Sequence, residues 1–356
     1  MRVAYTLTWS GGASTGVFKK VADQVAAWQA LGVEAGIFVA TTRAGEGDWE
    51  AIPETKQVLT YGSAQGSFLI QGKLLDAAAS WTPDITYVRT TPRHALAVRQ
   101  LHAQRHVIEI QTNDLAEAAG ISRHRLWLSQ VTRRSCHGAA SGLVFVSQEL
   151  ASLPSYSMFT DRRTVIANGI DLARFTTLPA SNSGTAPRLA FMGQSSAKWL
   201  GLEDIYDLAR ARPEWTIDLI GPTETGKTPK MANLNFHGEM SSSEYLPILA
   251  GADAALSTLA WYRSSMSEAS PLKSREYLAL GLPVIGAYAD TDIADDNPIY
   301  LRLPNRPGSL VKELPRIEGF IDKWRGRRVT HDEIRFLDTS VKEAKRIDFL
   351  RDCLNS

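Results

Sequence analysis

The sequence predicts an α/β protein of two Rossmann-like domains that face a central cleft. Short β-rich segments alternate with longer helical patterns, and a stretch rich in Ser, Thr, Pro, Ala and Gly at 176–188 divides the series in two. The β-rich segments mostly lack the polar–apolar alternation of a half-exposed sheet. Such strands are typical of a parallel sheet that helices cover on both faces. The 356 residues are enough for two domains.

The first half of the chain, residues 1–175, is the predicted N-terminal domain. Its predicted strands are RVAYTLT, VEAGIFVAT, DITYVRT, HVIEIQT and GLVFVS. The segment GVFKKVADQVAAWQALG follows the first strand, has apolar residues at helical spacing and stops at a glycine. It therefore predicts an amphipathic helix.

The strand–helix pattern restarts after the linker, and residues 189–337 form the predicted C-terminal domain. Its predicted strands are LAFMG, WTIDLIG, NLNFHG, AALST and LPVIGAY, and its predicted helices are LEDIYDLARARP, SSEYLPILAGA and PLKSREYLALG. Ligands of such folds bind at the carboxyl ends of the strands. The tail, residues 338–356, predicts a helix capped by Asp338 or Ser340. One possible position for this helix is against the N-terminal domain.

Composition argues against several functional classes. A net charge of +1 gives no support to a nucleic-acid partner. Cys136 and Cys353 are far apart and in no motif, which favours a reducing compartment over a disulfide framework. The N-terminus lacks the features of a signal peptide, and no apolar run approaches the ~20 residues of a membrane span. We expect a cytoplasmic protein with no cofactor and no metal.

Two glutamates frame the stretch EASPLKSRE, Glu268 to Glu276. Ser270 is a suitable N-cap, Pro271 suits the first helical position, and Gly281 ends the predicted helix. Glu276 then lies about 7–8 Å up the axis from Pro271. Free N–H groups at the helix start suit a phosphate. The spacing fits a diphosphate with a hydroxylated ring on each side, as in a nucleotide sugar, although two surface charges around a capped helix would look the same.

The surrounding sequence favours the ligand interpretation. SEASPLKSREYLALGLPVI resembles the signature of retaining glycosyltransferases of family 4, which have the GT-B fold of two Rossmann-like domains. Further segments match that family in the expected order, over about residues 1–290. They are WSGGASTG, YVR, VIEIQTND, GLVFVSQEL, VIANGIDLARF, LAFMGQSSAKWLG and NLNFHGEMSSSEYLPILAGADAALST.

The resemblance implies a donor site, with Glu276 on the nucleotide ribose and Glu268 near the donor sugar and the reacting centre. The backbone N–H groups of Leu272 and Lys273 would face the diphosphate, whereas Pro271 has no N–H to offer. The implied catalytic residues are Glu268 and Lys198. The implied donor-binding residues are Gly12, Gly193, Gln194, Ser270, Leu272, Lys273, Glu276 and Gly221.

Lys198 matches one member of a basic pair that neutralises the donor diphosphate in the family. A fixed cation there lowers the barrier to leaving-group departure. The other member, commonly Arg, is Gln194 in this chain. Either Lys198 acts alone or another cation, such as Arg263 or Lys273, supplies the second charge. The alternative for Lys198 is a solvated loop lysine.

The N-terminal half carries weaker signals. Gly11 and Gly12 belong to GGASTG, which is not a dinucleotide-binding fingerprint but lets the backbone approach a ligand. The resemblance makes the N-terminal domain the acceptor side and the C-terminal domain the one that binds the nucleotide sugar. It places Gly12 opposite the donor phosphate, with Gly11 and Asn113 on the acceptor or sugar side. A plain turn would account equally well for the glycines. Glu109 and Arg89 lie on inner strands and are expected to pair in the interior.

One more segment, RHRLWLSQVTRR at 123–134, mixes arginines with Leu and Trp. Its face could rest on anionic lipid, or it could be a solvated helix face over a core stripe. A peripheral membrane contact is therefore a second partner hypothesis.

The sequence thus predicts a retaining glycosyltransferase that transfers a sugar from a nucleotide-diphosphate donor to the hydroxyl of a saccharide or lipid-linked acceptor. The family resemblance implies front-side attack, in the cytoplasm or at the inner face of the membrane, in bacterial surface-polysaccharide or glycolipid assembly. Two alternatives stay open: a nucleotide-sugar epimerase of the same fold, and a non-catalytic nucleotide-sugar-binding protein. The second follows from the neutral Gln194 and from the unusual stretch around Asn113.

Overall fold

The computed structural model describes residues 1–9, 12–13, 15–42, 49, 52, 54–62, 64–89, 95–181, 184, 186–193, 197–226 and 228–355. The chain divides into two compact units. Unit 1 comprises Met1–Ala167 and Thr339–Ser356, and unit 2 comprises Asn168–Asp338.

Unit 1 is built on one parallel sheet. Its strands are β1 (Arg2–Trp9), β2 (Glu34–Thr41), β3 (Thr55–Thr60), β4 (Ile85–Val88), β5 (His106–Ile110), β6 (Gly142–Phe145) and β7 (Arg163–Val165). The order across the sheet is β3-β2-β1-β4-β5-β6-β7, and every pair in it is parallel. All residues of β4, β5 and β6 are buried, as the lack of alternation predicts.

Helices connect these strands. They are α1 (Gly16–Ala30), α2 (Ala64–Ser80), α3 (Ala95–His102), α4 (Asp114–Ile121), α5 (Arg123–Gly138) and α6 (Gln148–Ser152). The amphipathic helix predicted after the first strand is confirmed as α1. It buries Phe18, Val21, Val25 and Trp28 against the sheet.

Unit 2 repeats the architecture. Its strands are β8 (Arg188–Met192), β9 (Thr216–Ile220), β10 (Leu234–Gly238), β11 (Ala254–Leu256), β12 (Glu268–Ala269), β13 (Val284–Gly286), β14 (Ala289–Asp290) and β15 (Tyr300–Arg302). The helices are α7 (Leu202–Ala211), α8 (Ser242–Ala250), α9 (Leu272–Ala279), α10 (Ser309–Lys312) and α11 (Leu314–Trp324). The main sheet is parallel, in the order β10-β9-β8-β11-β13-β15. A separate parallel pair joins β12 to β14.

Each sheet reverses its strand order once. Unit 1 does so between β1 and β4, and unit 2 between β8 and β11. Both follow the 3-2-1-4-5-6 order of the doubly wound nucleotide-binding fold, in which ligands bind at the carboxyl ends beside the reversal. The predicted pair of Rossmann-like domains is confirmed by these two sheets.

The boundary between the two units does not lie in the predicted linker. Unit 2 already begins at Asn168, whose backbone N–H donates to the Ser270 hydroxyl at 3.0 Å. Ile170 forms a parallel bridge with Asp338. Residues 168–188, split in the prediction between the first domain and a linker, therefore count with unit 2.

The last helix, α12 (Thr339–Leu354), belongs to unit 1. Its Ile347, Leu350 and Cys353 join the core, and the Trp28 indole N–H donates to Glu343 at 2.7 Å. Gly142 leaves room for this helix, since a Cβ there would lie 2.7 Å from the sulfur of Cys353. Among the described residues, no helix is both long and apolar enough to cross a bilayer.

Candidate functional site

Helix α9 begins at the strand-order reversal of unit 2. The Lys273 amine donates to the Met192 carbonyl at 3.2 Å, and the Met192 N–H donates to the Tyr277 hydroxyl. Met192 is the last residue of β8. Lys273 and Tyr277 are four residues apart and so lie on one helix face. They hold the start of α9 against the carboxyl end of β8.

A second contact fixes α9 beside the neighbouring strand. The Ser274 hydroxyl lies 2.6 Å from that of Ser257, which directly follows β11, and 2.7 Å from that of Tyr288. All three residues are buried. The helix N-terminus is therefore fixed at the reversal point from both sides, where a ligand is expected.

Arg275 carries the most buried charge of the helix. It is fully buried and donates to both carboxylate oxygens of Asp290, at 2.7 and 2.8 Å. It also donates to the Asn168 carbonyl at 3.0 Å and to the Ser270 hydroxyl at 2.9 Å, and it lies 3.4 Å from Asp292. These bonds tie the loop before α9 to β14. The Asp-x-Asp pair 290–292 was missed by the sequence analysis.

The predicted start of this helix is wrong by one residue. The helix begins at Leu272, Pro271 is the N-cap with ψ of 134°, and no side chain caps it. Ser270 does not serve as the cap because its hydroxyl oxygen accepts from Asn168 and Arg275 instead. The predicted end is confirmed, since Gly281 follows the helix with φ of 91°.

The start of α9 offers hydrogen-bond donors. In the described part of the chain, the N–H groups of Leu272 and Lys273 have no recorded acceptor. This is the usual state of the first turn of a helix, and it favours an anion. Both N–H groups were predicted to face a diphosphate, and that role stays a prediction.

Lys273 adds a cation at the same place. Its amine lies 4.5 Å from the centre of the Phe191 ring, and no carboxylate of the described residues lies within ion-pair distance. Burial lowers the pKa of this amine to about 7, although part of the side chain stays exposed. Without a counter-ion, the charged form is poorly stabilised, and an incoming anion would supply the missing charge.

Glu276 is partly buried and lies three residues after Lys273 on α9. Its carboxylate accepts from the Tyr245 hydroxyl of α8 at 2.5 Å. Burial and this carboxylate together raise the pKa of Tyr245, so the phenol keeps its proton and its donor role. Tyr245 was missed by the sequence analysis, because nothing near Glu276 in sequence indicates it. The bond fixes one oxygen of Glu276 and orients the carboxylate.

Glu268 lies in β12 and is partly buried. Its carbonyl accepts from the Trp261 indole N–H at 2.9 Å, and β12 pairs with β14 through Glu268 and Ala289. The backbone at Glu268 is thereby held from two sides. Arg275 contacts Asp290 of the same strand pair, so the loop that carries Glu268 is connected to the start of α9.

Two predicted glycines meet where β8 and β9 end. Gly221 has φ of 99°, and a Cβ on it would lie 2.2 Å from the Gly193 carbonyl oxygen. Both the backbone angle and the close approach thus require glycine at 221. Gly193 donates its N–H to Ile220 at 3.0 Å. The two glycines form a narrow corner beside Met192, to which Lys273 binds.

Lys198 begins a 3-10 turn, Lys198–Leu200, and is exposed. Arg263 donates to the Lys198 carbonyl at 2.8 Å and pairs with Glu203 at 3.3 Å. Arg263 is therefore already engaged with a carboxylate, whereas Lys273 is not. Gln194 lies outside the described residues.

In unit 1, Gly12 accepts from the Thr15 hydroxyl at 2.9 Å in the turn between β1 and α1. Asn113 is the N-cap of α4 and accepts from the Ala116 N–H at 3.1 Å. Gly11 lies outside the described residues. The ligand roles of these three residues stay predictions. The expected interior pair of Arg89 and Glu109 is confirmed at 3.1 Å.

The arginine-rich segment at 123–134 is confirmed as a helix, α5, which exposes 58% of Trp127 and 54% of Val131. Its contact with a membrane stays a prediction. Across the described residues, no group of three or more His, Cys, Asp or Glu side chains could hold a metal ion.

Three solved structures have a similar fold along the whole chain. Sucrose-phosphate synthase from Thermosynechococcus elongatus is 14% identical, with a TM-score of 0.74 and coverage of 99% of this chain and 98% of that one. Anabaena HepE in complex with UDP-glucose is 16% identical, with a TM-score of 0.68 and coverage of 99% and 100%. The apo form of the lipopolysaccharide outer core galactosyltransferase WaaB is 12% identical, with a TM-score of 0.65 and coverage of 99% of both chains.

No protein-family model and no curated protein sequence matches the chain. At identities this low, the structural likeness shows the fold alone. It covers both Rossmann-like units, and the chain therefore has the GT-B fold.

Proposed function

We propose that the protein is a retaining glycosyltransferase of family 4 that transfers a sugar from a nucleotide-diphosphate donor to an acceptor hydroxyl. The observation that carries the proposal is the start of α9. Free N–H groups of Leu272 and Lys273, the Lys273 amine and the corner at Gly193 converge at the strand-order reversal of unit 2. A phosphate suits this place, and the glutamates at 268 and 276 flank it.

The charge at this place suits a leaving nucleotide. When the sugar–phosphate bond breaks, negative charge builds on the diphosphate, and a cation held nearby in a water-poor site stabilises it. Among the described residues, no carboxylate pairs with Lys273, and Lys198 is exposed on the turn after β8. We propose that Lys273 supplies the charge that Gln194 does not carry, with Lys198 as the second cation.

Two solved structures with this fold support the proposal. HepE was solved in complex with UDP-glucose, and WaaB is described as a lipopolysaccharide outer core galactosyltransferase. The setting that we propose is bacterial surface-polysaccharide or glycolipid assembly, with a saccharide or lipid-linked acceptor.

The thermal midpoint of the protein is expected to rise with the diphosphate of one nucleobase and with its nucleotide sugars. Glu276→Ala is expected to weaken this binding about 10–100-fold, because a ribose then loses charge-assisted hydrogen bonds worth about 1.5–3 kcal/mol. The measurement is thermal unfolding against a panel of nucleotides and nucleotide sugars. Glu214→Ala, an exposed residue before the amino end of β9, is the control.

The same panel separates the alternatives. Transfer to an acceptor supports the proposal, release of an epimerised sugar without an acceptor indicates an epimerase, and binding without any turnover indicates a non-catalytic protein. If no nucleotide changes the midpoint, or if Glu276→Ala binds like Glu214→Ala, the donor site at α9 is wrong.

Nucleotide-sugar affinity is expected to fall as the pH rises through about 7, the pKa of Lys273 in the free protein. The bound diphosphate favours the charged amine, so binding takes up a proton above that pKa and costs up to about tenfold in affinity per pH unit. The diphosphate of a nucleotide sugar keeps its charge across this range. Isothermal titration calorimetry on both sides of the pKa, in buffers of different ionisation enthalpy, measures both effects.

Two substitutions make this prediction specific to Lys273. Lys273→Arg keeps a cation at every pH and is expected to bind with little pH dependence. Lys273→Met is expected to bind weakly at every pH. Proton uptake that persists in Lys273→Met would show that another group titrates, and the proposed role of Lys273 would be abandoned.

A further inference from the structure

Unit 1 contains a group of buried charges that the proposed donor chemistry does not use. We name Lys20, Arg89, Glu109, Glu343 and Arg346 the Glu109 cluster. The Glu109 carboxylate accepts from Lys20 at 3.3 Å and from Arg89 at 3.1 Å, and Arg346 lies 3.6 Å from it. Arg346 also donates to Glu343 at 2.8 Å.

The charges of the cluster do not balance. Arg346 forms a two-bond pair with Glu343 and also lies within ion-pair distance of Glu109, so three cations share two carboxylates. Burial by itself raises the pKa of Glu109, but Lys20, Arg89 and Arg346 lower it to about 2, so this carboxylate is ionised at neutral pH. Burial lowers the pKa of Lys20 to about 8, against the opposing effect of Glu109. With all members ionised, the cluster has one positive charge in excess.

The excess charge is at the surface of the cluster. The side chains of Glu109, Glu343 and Arg346 are 0%, 3% and 1% exposed, whereas those of Lys20 and Arg89 are 9% and 13% exposed. The two cations are therefore the partly exposed members of the cluster, and the carboxylates are buried. Among the described residues, the only acceptor of the Lys20 amine is Glu109, so two of its three N–H bonds have no acceptor there and are donors for a ligand.

The cluster also lies where this fold binds ligands. Arg89 directly follows β4, Lys20 is on the second turn of α1, which follows β1, and Glu109 is next to the last residue of β5. The strand order reverses between β1 and β4. The two accessible cations are thus at the carboxyl ends of the strands beside the reversal, the usual binding point of a doubly wound sheet.

We propose that Lys20 and Arg89 bind an anionic group of the acceptor, either a carboxylate or a phosphate monoester. The inference rests on the proposed function, in which the N-terminal domain holds the acceptor. An anion would neutralise the excess charge and could accept from a lysine and an arginine at once, which are strong, charge-assisted bonds. A neutral sugar offers neither. The acceptor class is therefore an acidic or phosphorylated sugar.

The first test uses inorganic phosphate, so it does not require a known acceptor. It is carried out in a Lys273→Met background to weaken phosphate binding at the donor site. In this background, phosphate is expected to raise the thermal midpoint at constant ionic strength. Adding Lys20→Met is expected to weaken phosphate binding about tenfold or more, since a charge-assisted bond is lost. Lys19→Met changes the exposed neighbour on the same helix and is the matched control.

The same variants separate a binding role from a structural one. Lys20→Met leaves Arg89 and Arg346 with Glu109 and Glu343, two charges of each sign, so its midpoint without phosphate is expected to equal that of Lys19→Met. A midpoint well below that control would make Lys20 a structural counter-ion and overturn the proposal. Equal phosphate affinity in the Lys20→Met and Lys19→Met proteins would overturn it too.

The second test compares acceptors that differ in one group: glucose, glucuronate and glucose 6-phosphate. With Lys273 intact, kcat/KM is expected to favour one of the two anionic sugars over glucose, and which one it favours separates carboxylate from phosphate. Lys20→Met is expected to remove that preference, whereas Lys19→Met is expected to keep it. Equal use of all three sugars by the wild-type protein would overturn this inference but leave the proposed function intact. Absence of nucleotide binding would overturn the proposed function and with it the acceptor role, whereas the phosphate test would still decide whether Lys20 and Arg89 bind an anion.

Discussion

Replacement of Arg275 by Met is expected to lower the free energy of unfolding by about 3–5 kcal/mol, since it leaves Asp290 as an unpaired buried carboxylate. Both side chains are 0% exposed, and the guanidinium contacts both carboxylate oxygens. The substitution also removes a donor from the Asn168 carbonyl and from the Ser270 hydroxyl. Urea denaturation followed by tryptophan fluorescence measures the change.

The matched control is Arg302→Met. Arg302 pairs with Asp295 at 2.7 Å in the same unit, but the two side chains are 38% and 63% exposed, so the expected loss is under about 1 kcal/mol. A second variant, Arg275→Met with Asp290→Asn, removes the unpaired charge and is expected to recover part of the loss. If Arg275→Met cost no more than Arg302→Met, the buried pair would not stabilise the loop before α9.

The sequence predicted the two sheets better than the details of the site. Strands such as HVIEIQT and GLVFVS lack the polar–apolar alternation of a half-exposed sheet because both faces are buried, and this property is local. The two-residue strands β12 and β14 have no such pattern, because their pairing depends on residues about 20 positions apart. The edge strand β3 was not predicted either, since none of its residues is fully buried.

At the site, rules based on neighbouring residues in the sequence did not predict the helix cap or the surroundings of the charged side chains. Ser270 has the right chemistry for an N-cap, but Arg275 and Asn168 bond its hydroxyl and move the helix start to Leu272. In the sequence, Lys273 and Arg275 are simply charged neighbours of Glu276. Arg275 is buried because Asp290 lies opposite, and Lys273 is partly buried because its amine contacts Phe191 and Met192. Such partners come from other strands, and no spacing within α9 indicates them.

The prediction from the glutamate spacing still holds although helix α9 starts one residue later than predicted. Glu268 precedes the helix and Glu276 lies on it, as predicted, although the cap differs. What the sequence could not indicate is the orientation of each carboxylate. Tyr245 orients Glu276, and the Trp261 indole and β14 hold the backbone of Glu268. The two glutamates therefore differ in their surroundings, and we expect them to differ in function.

Glu268→Gln is expected to lower the turnover of sugar transfer about 10²–10³-fold, the effect of removing one preorganised charge from a reacting centre. In a retaining transfer, positive charge develops on the donor sugar as the leaving group departs. A carboxylate stabilises that charge, and an amide of the same shape does not. Because the substitution keeps the backbone bonds to Trp261 and Ala289, nucleotide affinity and thermal midpoint are expected to stay close to the wild-type values.

The measurement is single-turnover transfer at saturating donor, which isolates the chemical step from binding. The control is Glu214→Gln, which makes the same change just before the amino end of β9. The Glu214 side chain is 56% exposed, and the rate of this variant is expected to equal the wild-type rate. A loss of affinity with a normal saturated rate would make Glu268 a donor-binding residue. A rate and an affinity both equal to those of Glu214→Gln would remove it from the site. Either result would leave Lys273 and Glu276 as the residues on which the donor site depends, because their contacts do not involve Glu268.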